Sequence, residues 1–314
     1  MPSPPSGSEH TLFGQMLARA APLAPVPTAV VHPADALSLE GAVDAARAGL
    51  IRPILVGPEA KIQAAAQAAG LDISGYRLEP APHSHAAAAR GVELVRSGEA
   101  GMLMKGALHT DELMHEVVEP TTGLRTARRI SHAFLMDVKD YPRPLLITDA
   151  AINVLPSLED KRDIVQNAID LAVVLGVATP RVAILSAVET VTPKLPSTIE
   201  AAALCKMADR GQITGGLVDG PLAVDNAVSP DAAREKGIVS DVAGRADILV
   251  APDLESGNML VKQLTFLAGA GAAGVVLGAR VPVVLTSRAD SAIERVASCA
   301  LGVLLIQSRP PVPA

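Results

Sequence analysis

Tryptophan is absent from this chain, and two tyrosines and three phenylalanines are its only large aromatic side chains. The core must therefore be assembled from Ala, Val, Leu and Ile, and residues of apolar type make up 49% of the sequence. Nucleic-acid binding by base stacking is disfavoured, because bases need exposed rings to lie on. Positive charge is also scarce. Lys and Arg number 27 against 33 Asp and Glu, a net charge of -6, which argues against a binder of phosphate backbones while leaving room for a local basic pocket. The two cysteines, Cys205 and Cys299, form no metal-ligand spacing and suggest a reducing compartment. No apolar run is long enough to cross a membrane. The opening MPSPPSGSEH lacks the basic and apolar regions of a signal peptide. A cytoplasmic protein is expected, with frayed ends at Met1–Gly7 and Arg309–Ala314.

What is present is a regular alternation. Short apolar runs are expected as strands at 28–32, 52–57, 101–106, 130–136, 144–148, 181–187, 213–220, 247–252, 274–278 and 282–286. Between most of them lie helical patterns at 36–49, 59–69, 85–97, 159–175, 198–209, 256–270 and 290–304. Val/Ile/Leu runs without two-residue alternation suit strands covered on both faces, and their alternation with helices implies mainly parallel α/β sheets. Ten strands are many for one sheet. Two α/β domains with an interdomain cleft are therefore expected, the first formed by 1–127 plus 278–314 and the second by 128–277.

Polar residues gather where strands end. Asp149 follows LLIT, AVETVTPKLPST follows AILS, PLAVDNAVS follows GLVDG, DLESGN follows LVAP, and SRADS follows VVLT. In open parallel sheets ligands bind outside the carboxyl ends of the strands, so one converging cleft is expected.

Gly269, Gly271 and Gly274 spell the G-x-G-x-x-G of dinucleotide sites. That fingerprint must follow a strand and open a helix, so that pyrophosphate meets free N–H groups. Here the order is reversed: a helical pattern precedes the glycines and an apolar strand follows, so the glycines are expected to close a helix.

Ser287-Arg288 lies between the strand PVVLT and a helical pattern with Ile293, Val296, Ala297, Ala300 and Leu304 on one face. Ser287 can cap that helix, with Asp290 three residues on completing a capping-box-like pair. Alternatively the same turn is an anion site, since a helix N-terminus beside an arginine offers N–H donors and a forked cation together. Other residues carry paired readings too. Lys105 ends the strand GMLMK either as a snorkelling lysine or as an anion ligand. Thr110 is a helix cap or a substrate contact. Asn258 and Asp253 line the cleft or belong to a capped turn. His83-x-His85 lacks a third ligand of suitable spacing, so no metal site is expected there.

Several ordered blocks together resemble the phosphate acetyl/butyryltransferase family: LMKGALHTDELM at 103–114, GLRT at 123–126, AVETVTPKLPST at 187–198, DGPLAVDNAVS at 219–229, APDLESGNMLVKQL, and LTSRADS. The resemblance runs from about Val26 to about Leu305 and is nearest the butyryltransferase side. It implies two α/β domains of the isocitrate/isopropylmalate dehydrogenase type, usually in a homodimer. The implied activity is reversible transfer of a short acyl group between coenzyme A and inorganic phosphate, directly in a ternary complex. No tightly bound cofactor is implied, and coenzyme A is a substrate. By motif, Ser287 and Arg288 match the reacting serine–arginine pair, and Glu294 falls where acetyl-specific relatives carry an acidic base, with Asp290 as the alternative. His115 stands where relatives commonly have a phosphate-binding arginine, and Arg125, Arg128 and Arg129 are available to compensate. Lys105, Thr110, Arg125 and Asn258 are the further substrate-binding candidates, and the Arg288 guanidinium is expected to face the cleft. One rival is a Mg/NAD-dependent decarboxylating dehydrogenase of the same fold, using Asp149, Asp219, Asp225 and Asp253. The other is a non-catalytic acyl-CoA-binding module.

Overall fold

The structure, a computed structural model, describes residues 11–287 and 290–308. Both Pro/Ser/Gly-rich ends lie outside the described residues, as does Arg288. The chain divides into two compact units, one built from Thr11–Arg128 together with the segment from Ala273, the other from Arg129–Ala272.

The first unit opens with α1 (Thr11–Ala20), β1 (Val26–Val31), α2 (Ala36–Arg47), β2 (Ile51–Gly57), α3 (Glu59–Ala69), β3 (Arg77–Pro80), α4 (Ser84–Arg96), β4 (Met102–Lys105) and α5 (Thr110–Val118). The second unit contains β5 (Ser131–Asp137), β6 (Leu145–Thr148), α6 (Leu158–Val174), β7 (Arg181–Leu185), α7 (Pro196–Asp209), β8 (Leu217–Leu222), α8 (Val224–Val228), α9 (Pro230–Glu235), β9 (Ile248–Val250) and α10 (Leu254–Ala268). The chain then returns through β10 (Gly271–Leu277), β11 (Val283–Val284) and α11 (Ala292–Gln307).

In the first unit the strand order is β3-β2-β1-β4-β11-β10. All neighbours run parallel except β10, which meets β11 antiparallel through Val276 and Val283. Register sets Val31 opposite Lys105 and Val284 opposite Met104, so the carboxyl ends of β1, β4 and β11 come out side by side. The strands are buried on both faces, as their unbroken aliphatic runs require. α11 is almost entirely interior: Ala297, Cys299, Ala300 and Leu301 are fully buried. A side chain such as Leu301 contributes roughly 1.5–3 kcal/mol relative to exposure.

The second unit carries the order β5-β6-β9-β7-β8, parallel apart from the β5–β6 pair. Its core joins Met136, Ile147, Ala183, Leu185, Leu249 and Val261. The loop after β6 is held by one carboxylate. Asp149 accepts N–H bonds from His132 (3.3 Å), Ala151 (2.9 Å), Ile152 (3.0 Å) and Asn153 (3.3 Å). Burial raises its pKa, against the pull of those donors.

The glycine run behaves as the sequence order required. Gly269 closes α10 in the left-handed conformation with φ 65°, and β10 begins two residues later at Gly271. β3, α1, α8 and α9 had no sequence expectation. β3 reads RLEP and is partly exposed, a polar edge strand without the apolar run that marks the others.

Candidate active site

The site grows from the segment joining β11 to α11. Thr286 is buried, and its hydroxyl donates to the Lys105 carbonyl at 3.2 Å, tying the end of β11 to the end of β4. Ser287 and Asp290 are bonded to each other. Ser287 N–H donates to Asp290 Oδ2 at 2.7 Å, and Asp290 N–H donates to the Ser287 carbonyl at 3.2 Å. The Ser287 side chain is exposed. Arg288, the arginine of the serine–arginine pair, lies outside the described residues.

Helix α11 begins one turn later than the Ser287 cap would place it. Two successive S-x-x-acid patterns occur here, Ser287 to Asp290 and Ser291 to Glu294. Both acids accept from their own serine's N–H, and the second pair forms the helix cap. Ser291 is the N-cap, Glu294 Oε2 accepts from Ser291 N–H at 2.6 Å and from its hydroxyl at 2.8 Å, and Glu294 is 8% exposed. Ser287 is therefore released from capping, and the Glu294 carboxylate is engaged at the cap.

Asp290 differs. Its carboxyl is partly buried, and burial pushes its pKa up to about 6; the Glu294 charge adds to this, while the Ser287 N–H, Arg295 and Lys105 oppose it. Arg295 is 5% exposed and donates from Nη1 to the Asp290 carbonyl. The Lys105 ammonium donates to the carbonyls of Gly106 (3.3 Å) and Leu108 (3.2 Å). Gly106 is required there: a Cβ would stand 2.5 Å from the Val31 carbonyl oxygen. A small solvent-open hollow is lined by Lys105, Thr286, Ser287 and Arg295 with Asp35 and Ser38 at the start of α2. Asp35 caps α2, accepting the Ser38 N–H at 2.8 Å. Hydroxyl, carboxyl and two cations thus meet at the carboxyl ends of parallel strands, the chemistry of a site that moves a proton and handles an anion.

The other candidates lie elsewhere. Thr110 is the first residue of α5, with His109 at the N-cap position, so Thr110 is not the cap. His115 and Arg125 are exposed and do not line the hollow. Arg129 is held by Asn153 Oδ1 at 2.7 Å and lies 3.4 Å from Asp160. Asn258, in the second unit, donates to the Ala150 carbonyl at 3.1 Å and so tethers α10 to the loop after β6. His83 caps α4 through Nδ1, and His85 faces Glu112. Of the four carboxylates of the dehydrogenase rival, Asp149 serves its loop, Asp253 caps α10, Asp219 accepts from Gly220 N–H, and Asp225 sits 3.5 Å from Lys236. Among the described residues no three His, Cys, Asp or Glu side chains are grouped to hold a metal. Burial pushes both cysteine thiols up to about 12, which leaves them poor nucleophiles.

Arg295, Asp35 and Ser38 were missed from the sequence. Arg295 had a signal: it stands four and seven residues before Cys299 and Gly302, on a helix face that is otherwise apolar and buried.

The arrangement defines an α/β protein with a proton-handling, anion-compatible site at a strand–helix junction. Comparison with known proteins makes this specific. A family model described as "Phosphate acetyl/butaryl transferase" matches residues 83–303. The chain is 63% identical over 302 residues to a phosphate acetyltransferase of Rhizobium meliloti, covering 96% of each. It is 42% identical over 277 residues to a phosphate butyryltransferase of Clostridium acetobutylicum, covering 88% of this chain and 92% of that one. Among solved structures it is similar to a branched-chain phosphotransacylase from Enterococcus faecalis V583, with TM-score 0.78 and 29% identity, over 89% of this chain and 99% of that one. The chain belongs to the phosphate acetyl/butyryl transferase family.

Proposed function

We infer that this protein is a phosphate acyltransferase, moving a short acyl group reversibly between coenzyme A and inorganic phosphate. Direct transfer in a ternary complex suffices, since both acceptors are nucleophiles in their own right. The observation that carries the site assignment is the junction of β11 and α11, where Asp290 Oδ2 accepts the Ser287 N–H and Ser287, Lys105 and Arg295 border one hollow.

In the direction of thioester formation, the coenzyme A thiol attacks the acyl phosphate carbonyl. A thiol of pKa about 8.5 is only a few per cent ionised at neutral pH. A base with pKa about 6 is about 90% ionised there and can take the thiol proton as the S–C bond forms. The tetrahedral oxyanion then collapses, the C–O bond to phosphate breaks, and phosphate leaves. In the reverse direction a phosphate oxygen attacks the thioester carbonyl, and Asp290 returns the proton to the departing thiolate. Ser287 and Arg288 match the family's serine–arginine segment and are assigned to the oxyanion and the phosphate oxygens respectively. Engagement of Glu294 at the helix cap favours Asp290 over Glu294 as the base. Lys105 is assigned to the anionic substrate on its place in the hollow; His115 is retained as a substrate contact by resemblance with Arg125 to compensate, and Thr110 and Asn258 on their places in the sequence.

A homodimer fits the exposed apolar side chains of α10, Met259 at 67%, Phe266 at 68% and Leu267 at 81% exposure. A cytoplasmic setting fits two unpaired cysteines. The test is thiol release from acetyl-, propionyl- and butyryl-CoA with and without phosphate. Release that needs phosphate supports the assignment, and binding of coenzyme A without turnover would instead select the acyl-CoA-binding reading.

A further inference from the structure

We propose that Arg295 is a phosphate-binding residue of this site, receiving the inorganic phosphate, or the phosphoryl end of the acyl phosphate, at the hollow it shares with Lys105 and Ser287. The proposal rests on the acyltransferase reading and adds to it a cation outside the serine–arginine pair.

Its basis is a buried cation with few direct partners, the Asp290 charge acting on it without a close ion pair. Arg295 is 5% exposed, yet among the described residues no carboxylate forms an ion pair with it. Its one side-chain hydrogen bond is from Nη1 to the Asp290 carbonyl, and its Nε–H is buried without an acceptor. A buried guanidinium is costly unless it is paired, and its five donors suit planar or tetrahedral oxyanions. The side chain is also pressed into place: a Cβ on Gly41 would stand 2.9 Å from Arg295 Cδ and 3.1 Å from Nε, so α2 has room for this arginine only because residue 41 is glycine. The open side of that packing is the small solvent-open hollow that Lys105, Ser287 and Ser38 also line. Asp35 borders the same hollow with one oxygen committed to the Ser38 N–H, and its other oxygen can accept the proton of a hydrogen phosphate. Two cations, hydroxyls and an acceptor for the P–OH make a site for HPO4 rather than for a fully ionised anion.

Arg295→Gln removes the charge and the fork, its shorter amide ending where the Arg295 Nε stands. The expected result is a phosphate KM raised about ten- to hundredfold, the loss of one charge-assisted contact, with the acyl-CoA KM within about twofold. Phosphate, which should raise the melting temperature of the unmodified protein, should no longer do so in the variant. A phosphate KM unchanged in the folded variant, or a fall in kcat alone, would overturn the proposal and leave Arg295 as a prop for the turn. Should the variant fail to fold, hydrogen exchange of the unmodified protein with and without phosphate decides. Protection spanning both 35–41 and 286–298 supports the site, and protection at neither or only one contradicts it. Absence of phosphate-dependent thiol release by the unmodified protein is a separate result, which would strike the acyltransferase reading itself.

Discussion

Replacing Asp290 by Asn tests the proton-transfer assignment through two quantities that must move in opposite directions. Burial lifts the Asp290 pKa from 3.8 to about 6, so the folded state prefers the protonated form and charging the group costs stability. The shift corresponds to about 3 kcal/mol at 1.36 kcal/mol per pH unit. Asp290 is only partly buried, and solvent screening reduces this to about 1–2 kcal/mol. The sign follows from linkage: the penalty is absent below the unfolded pKa near 4, grows as pH rises toward 6, and is constant above it. Asn keeps an oxygen to accept the Ser287 N–H and carries no charge. The variant should therefore be more stable than the parent at pH 8 by about 1–2 kcal/mol, a rise of a few degrees in melting temperature for a unit of this size, and the gain should vanish near pH 4. Turnover should fall about 10²–10⁴-fold, the range for loss of a general base. The rising limb of kcat/KM, with an apparent pKa near 6 in the parent, should disappear. Thermal melts at pH 4 and 8 with a pH–rate profile supply the readings. A stability gain over the parent no larger at pH 8 than at pH 4, or a variant that keeps the limb near pH 6, would refute the reasoning.

Four further outcomes are expected. Glu294→Gln preserves an acceptor at the cap of α11, so turnover should stay within about threefold and stability within about 1 kcal/mol; a loss as large as that of Asp290→Asn, measured side by side, would return the base assignment to Glu294. Ser291→Ala should lower stability by about 0.5–2 kcal/mol through loss of the N-cap, read by denaturant titration. Arg288→Ala should reduce turnover about 10²–10³-fold with an unchanged melting temperature, and near-normal turnover would remove its proposed role. Asp149→Ala strands several buried N–H donors at the end of β6 and should cost about 3–5 kcal/mol, visible as a lowered melting temperature.

The sequence was most legible where one physical constraint acted alone. Unbroken aliphatic runs marked the buried parallel strands, and helix-before-strand order was enough to read Gly269 as a helix terminus. β3 was invisible because an edge strand needs no apolar run, and RLEP offers none. The start of α11 was misjudged because two S-x-x-acid patterns overlap, and local pattern cannot say which serine the helix takes. The same ambiguity governs the base: only the fold commits Glu294 to the cap and leaves Asp290 partly buried with a raised pKa. Arg295 escaped attention because a charge on an apolar helix face reads as an exception until its neighbours Gly41 and Lys105, distant in sequence, are brought beside it.

Formation of acyl phosphate is the most direct measurement. Acetyl- and butyryl-CoA are incubated with phosphate, and free thiol and hydroxamate-trapped acyl phosphate are counted together. The account predicts equal amounts of both products and neither without phosphate. Thiol released without phosphate, or without matching acyl phosphate, would contradict it.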